Sequence, residues 1–161
     1  MPGAAVSEKQ STYVYESRIP YDADRVGAAA IYCSDGRYGE QIDDLLHNGL
    51  GLPGYDRVAV PGGPAYLAGH FGHFFEEQGT SRQVEFLIRA HKLRRVVLIA
   101  HQDCVHYLQQ LRINPADLER RQREDLIVAA QRVRAFGHQV EIVAFFARKV
   151  GGRVRFETAE C

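Results

Sequence analysis

Val26-Gly27-Ala28-Ala29-Ala30-Ile31-Tyr32-Cys33-Ser34-Asp35-Gly36-Arg37 is the stretch that decides how this chain folds. Its first seven residues are small and apolar without alternation. A half-exposed strand would alternate, so an unbroken run of this length predicts a parallel strand covered on both faces. The run then turns abruptly polar at Cys33, so reactive side chains leave the strand at its carboxyl end. Open parallel sheets gather their ligands at that end.

The pattern repeats outward. Tyr38 to Leu46, with Ile42, Leu45 and Leu46 at helical spacing, predicts a helix that Asn48-Gly49 stops. Tyr55 to Val60 predicts a second short strand, broken by Pro61-Gly62-Gly63-Pro64. Ser81 can cap a helix whose stripe is Val84, Leu87, Ile88 and His91. Val96-Val97-Leu98-Ile99-Ala100 is the clearest buried strand, and it ends at His101-Gln102-Asp103-Cys104. A helix from about Pro115 to Phe136, stopped by Gly137, turns Leu118, Leu126, Ile127, Ala130 and Val133 inward. Val140 to Phe145 predicts a strand, and Arg148 to Phe156, turning at Gly151-Gly152, an edge hairpin. Strands alternating with helices predict an α/β fold, a mainly parallel central sheet flanked by helices. Residues 1–12 read as a flexible start and 13–161 as a single domain; 13–22 read as extended or a short helix.

Two predicted strand ends therefore carry metal-competent residues. Cys33, with Asp35 and Arg37 spaced two apart, leaves the first, and His101-x-x-Cys104 leaves the second. If the strands are neighbours, the clusters meet. Two thiolates and an imidazole suit the borderline-soft preference of zinc and its tetrahedral geometry. Three protein ligands leave a fourth position, which structural zinc closes with a side chain and catalytic zinc keeps for water. Asp35 is near enough to Cys33 to support the site or to become the fourth ligand. Arg37 can hold a carboxylate by a two-pronged pair.

The motif pair Cys33-Ser34-Asp35-Gly36-Arg37 and His101-Gln102-Asp103-Cys104 resembles the β-class carbonic anhydrases, whose signature is Cys-x-Asp-x-Arg and then His-x-x-Cys. All five signature positions are present in order, and the strand and helix order from Arg25 to about Phe145 fits that family's α/β fold. The resemblance implies one zinc per chain on Cys33, His101 and Cys104, with zinc-bound hydroxide attacking carbon dioxide to give bicarbonate. It implies that Asp35 accepts a hydrogen bond from that hydroxide, and that Arg37 keeps Asp35 ionised and turned from the metal. It also implies an open and a closed state, according to whether Asp35 stays on Arg37 or swings onto zinc. A homodimer or higher even homo-oligomer, with its cleft at the subunit interface, is implied too. The sequence departs from the family where Val105-His106-Tyr107 replaces small residues and Val60-Pro61-Gly62-Gly63-Pro64 replaces an Arg-Asn-Ala-Gly-like stretch. The short N-terminal part lacks long wrapping helices. These departures keep two alternatives open, a carbonyl sulfide or carbon disulfide hydrolase on the same zinc site and a catalytically silent zinc-binding module.

Bulk properties narrow the classes. Twenty basic and twenty acidic residues cancel, which removes a global electrostatic case for nucleic acid or a membrane surface. The basic clusters Arg94-Arg95 and Arg120-Arg121-x-Arg123 read as solvated helix surface. No apolar run approaches a membrane span and no signal pattern opens the chain, so a cytoplasmic protein acting on a small molecule is expected. Three cysteines, an odd number, point to ligation or nucleophilic chemistry rather than disulfides. His70 and His73 read as packing residues before a second metal pair. His106 reads equally as a proton shuttle or a wall residue. Tyr66 and Tyr107 read as core or pocket lining. Asp103 can orient a ligand, and Cys161 reads as incidental.

Overall fold

The computed structural model describes residues 13–161, so the flexible start expected over 1–12 lies outside them. Five strands form one sheet in the order β2-β1-β3-β4-β5. These are β1 (Val26–Cys33), β2 (Gly54–Val60), β3 (Arg95–His101), β4 (Glu141–Val150) and β5 (Arg153–Ala159). β1 pairs in parallel with β2 and β3, β3 pairs in parallel with β4, and β5 returns antiparallel on the edge. The expected α/β class and hairpin are thus present. β4 runs without interruption from the predicted strand into the hairpin, because no breaker stands between Phe145 and Gly151.

Successive residues of a strand point to opposite faces. In β1, Ala29 and Ile31 pack into one core with Val96 and Leu98 of β3, while Ala28, Ala30 and Tyr32 pack into another with Val97 and Ile99. Both faces are covered, which is why the run shows no alternation. Helices α3 (Phe74–Ala90) and α4 (Leu118–Ala135) cover the first face through Val84, Ile88, Leu126 and Val133. Helix α1 (Gly39–Asp44), extended by a π-helical turn over Leu45–Gly49, covers the second through Ile42 and Leu46. Truncating a fully buried residue such as Leu98 to alanine is expected to cost about 2–5 kcal/mol.

Three expectations are corrected. Ser81 caps nothing: α3 starts at Phe74, and Ser81 is buried inside it. Glu76 and Glu77 complement the positive helix start, and the exposed Gly79 is tolerated within the helix. Arg94 and Arg95 are not on a helix but in the turn and first residue of β3, where Arg95 pairs with Glu141 at 2.6 Å. Residues 13–22 form neither helix nor strand. Arg120 and Arg123 do lie on α4, ion-paired to Asp117, Glu124, Glu119 and Glu157. A four-residue helix, α2 (Ala65–Ala68), follows Pro64, and a π-helical turn spans His106–Gln110. Among the described residues no helix is long and apolar enough to cross a membrane.

Candidate metal centre

The carboxyl ends of β1 and β3 are adjacent because the two strands pair directly, Tyr32 opposite Ile99. Cys33 is the last residue of β1 and His101 the last of β3. Asp103, at φ 55°, turns the chain so that Cys104 faces back. The ligand atoms of Cys33, His101 and Cys104 all lie within 4.8 Å of one another, and the two sulfurs are 3.9 Å apart. All three residues are buried.

His101 Nδ1 lies 2.8 Å from the carbonyl oxygen of Gln102. A carbonyl only accepts, so Nδ1 carries the hydrogen and the neutral ring leaves a bare lone pair on Nε2. Nε2 is buried and has no hydrogen-bond partner. An orphaned polar atom at such depth costs on the order of 1–3 kcal/mol. Facing two thiols, it is the donor set a borderline-soft cation completes.

The electrostatics agree. The hydrogen bond from Cys104 lowers Cys33 against its burial, and His101 and the Gly62 N–H, 3.3 Å from the sulfur, lower it further, to about 4. Cys104 is pushed up by that same bond and by burial, offset in part by the backbone N–H groups of Tyr107 and His106. The two sulfurs thus differ, Cys33 the more acidic and Cys104 the less. A metal held there would take both sulfurs as thiolates and release their protons.

Asp35 and Arg37 stand beside this cluster. Arg37 Nη2 donates to Asp35 Oδ2 at 2.6 Å, its Nε reaches both carboxylate oxygens, and its backbone N–H donates to Oδ1 at 3.0 Å. These bonds hold the Asp35 carboxyl down at about 2. Cys33, Asp35 and Arg37 open onto a cavity of about 580 Å³ whose far wall includes Tyr66, His73 and His106. Beyond the five signature residues, Pro61 also lines the pocket, and Gly62 and Gly63 follow it. Gly62 lies so close to His106 that any side chain there would overlap the ring, and Gly63 packs on the backbone of Tyr32 and Cys33. The bulky His106, two residues after Cys104, is matched by a glycine across from it.

The two histidines read together from sequence part company. His70 Nε2 lies 2.6 Å from the buried Asp125, whereas His73 faces the pocket with Nδ1 unpartnered. His106 is buried, and burial depresses its imidazole. Tyr107 is core, its hydroxyl bonded to Asp125 at 2.6 Å. Asp103 points away from the cluster and pairs with Lys149 at 2.7 Å. The Cys161 thiol donates to the carbonyl of Ile142, and the residue packs against the core on the α4 face of the sheet. Sequence reasoning passed over Gln122, whose side-chain amide donates to the His101 carbonyl at 2.9 Å. The signal was available: an amide and a carboxylate, Gln122 and Asp125, interrupt the apolar stripe of α4.

A mainly parallel α/β sheet with a buried Cys-His-Cys group at its carboxyl edge defines a candidate metalloprotein. The chain belongs to the family described as "Putative carbonic anhydrase", whose model matches residues 23–157. Among solved structures it is similar to the β-carbonic anhydrase CafA of the fungal pathogen Aspergillus fumigatus. Identity is 16%, the TM-score 0.44, and the match covers 83% of this chain and 76% of that one. Comparison with curated proteins finds no match.

Proposed function

We propose that this chain interconverts carbon dioxide and bicarbonate, with one zinc ion on Cys33, His101 and Cys104, with Asp35 as the acceptor that orients the nucleophile and with Arg37 holding Asp35 ionised. The observation that carries this reading is the buried, unpartnered His101 Nε2 facing two thiols, beside a cavity in which Asp35 is held by Arg37. Zinc held there supplies the Lewis acidity that makes water a nucleophile near neutral pH. Asp35, kept ionised by Arg37, is an obligate acceptor, so it orients whichever oxygen nucleophile donates a hydrogen to it. Because both Asp35 oxygens are engaged by Arg37, the carboxylate stays out of the Cys-His-Cys cluster and leaves room for a fourth group. Val105 and Tyr66 give the cavity apolar surface suited to an uncharged, linear substrate.

The pocket wall supports carbonyl sulfide or carbon disulfide as a second reading, since Val105 and His106 stand where the resemblance leads one to expect small residues. An even-numbered homo-oligomer and a cytoplasmic setting belong to the same proposal. The exposed Phe71, Phe74 and Phe75 support the first of these.

The test is metal quantification with stopped-flow hydration of carbon dioxide over neutral to alkaline pH, for the parent and Asp35→Asn. One zinc per chain and a rate that rises with pH and collapses in the variant are the expected results. Zinc without hydration removes the anhydrase reading; carbonyl sulfide turnover then selects the second reading, and its absence a silent zinc-binding module.

A further inference from the structure

Helix α4 buries two polar side chains where its neighbours are apolar. Gln122 is 1% exposed and Asp125 3%, among Leu118, Leu126 and Ala129. Residues three apart share a helix face. This face meets the segment from His101 to Tyr107, which carries two of the three proposed metal ligands. Gln122 Nε2 donates to the His101 carbonyl at 2.9 Å, at the start of that segment. Asp125 Oδ2 accepts from the Tyr107 hydroxyl at 2.6 Å, at its end. The same oxygen lies 2.6 Å from His70 Nε2, and Arg121 Nε approaches Oδ1 at 3.4 Å.

An all-apolar helix face would avoid the desolvation cost of a buried amide and carboxylate. What the polar pair adds is direction. A hydrogen bond fixes the position of a carbonyl or hydroxyl in a way that apolar contact does not. His101 offers Nε2 only while Nδ1 stays on the Gln102 carbonyl, and Cys104 lies between the two anchored ends of the segment. Both arrangements depend on where this segment sits.

We propose that Gln122 and Asp125 are positioning residues of the metal centre: by holding the His101 carbonyl and the Tyr107 hydroxyl, they set the donor geometry of His101 and Cys104 and so the retention of the metal. The proposal rests on the reading of Cys33, His101 and Cys104 as ligands. Outer partners of metal ligands commonly change affinity by about 10–100-fold.

The experiment uses the full chain loaded with cobalt(II), whose thiolate charge-transfer band reports donor geometry, and with zinc, whose transfer to a chelator reports retention. Gln122→Leu, Tyr107→Phe and Asp125→Leu are expected to release zinc about 10-fold faster or more and to shift the cobalt band. Asp125→Asn, which keeps an acceptor for Tyr107, is expected to recover most of the loss. Ile88→Val, in the core under α3, controls for simple destabilisation and is expected to leave both readouts unchanged. Should Asp125→Leu fail to fold, Tyr107→Phe and Gln122→Leu each delete one hydrogen bond without stranding a charge, and they carry the test. Release within about twofold of the parent in those variants, or equal acceleration by Ile88→Val, overturns the proposal. A parent chain that takes up neither cobalt nor zinc overturns the ligand reading as well, which separates the two failures.

Discussion

Arg37 grips Asp35 through two side-chain nitrogens and its own backbone N–H, so both carboxylate oxygens are occupied away from the Cys-His-Cys cluster. The grip is local, spanning two residues just past β1, and it needs no help from the rest of the fold. It lowers Asp35 from 3.8 to about 2. A carboxyl whose folded value is depressed adds stability above its unfolded value, and that stability is lost as pH falls through the folded one. The window here is therefore from about 4 down to about 2, well below the range in which the site would work. Arg37→Gln is expected to return the Asp35 midpoint to the ordinary carboxylate range, read by NMR titration of its carboxyl carbon. Hydration activity should fall by about 10-fold or more, since a bidentate partner is lost. An unmoved midpoint would show that Arg37 does not hold Asp35 in solution.

Cys33→Ser removes one soft donor at the edge of the core without opening a cavity. Zinc is expected to drop from one per chain to well below it, read by metal analysis after dialysis. The melting temperature of the metal-free variant should match that of the metal-free parent. Unfolding of the variant would make the metal part of the folding energy instead.

The metal-free protein should show unequal thiols. Cys33 is lowered to about 4 and touches the cavity, whereas Cys104 is pushed up and is 1% exposed. In a Cys161→Ser background, iodoacetamide is expected to label Cys33 first, at a rate nearly flat from about pH 6 to 8, because its thiolate is already formed. Peptide mass mapping reads the site, and added zinc should protect it. Preferential labelling of Cys104 would invert the assignment.

Gly63 and Gly151 are both left-handed, at φ 53° and 56°. Adding a methyl group costs about 1–2 kcal/mol in either place from backbone conformation alone. At Gly151 the new Cβ meets nothing, whereas at Gly63 it falls 2.6 Å from the Tyr32 carbonyl carbon and 2.7 Å from the Cys33 nitrogen. Those are backbone atoms and cannot swing aside. Gly63→Ala is expected to cost at least about 3 kcal/mol against about 1 for Gly151→Ala, compared by urea unfolding. Zinc uptake should fall in Gly63→Ala, since relieving the overlap displaces Cys33. Equal costs would show that the loop does not press on β1.

The helix boundaries show where reading the sequence stops working. Ser81 is a good capping residue, but nothing in its own chemistry says whether the chain before it is already helical. The start of α3 at Phe74 puts Glu76 and Glu77 in the first turn and leaves Thr80 and Ser81 buried in mid-helix. The turn at His106–Gln110 was unreadable for a similar reason. Its buried members, His106 and Tyr107, find their places against Gly62 and Asp125, residues distant in the chain.

By itself, the sequence determined the sheet class and the local grouping of Cys33 with Asp35 and Arg37 after one strand and of His101 with Cys104 after another. Each of these is encoded locally: an apolar run long enough to cross the sheet, followed within a few residues by donors that must emerge at its carboxyl end. Tertiary structure alone decided what surrounds them. The pairing of β1 with β3 brought Cys33 within reach of His101 and Cys104. The packing of α4 set Gln122 and Asp125 against the ligand segment and drew His70 away from His73. Periodicity records which face of a helix is buried. It does not record what that face meets, because this depends on distances between segments that are far apart in the chain and adjacent only once the sheet has formed.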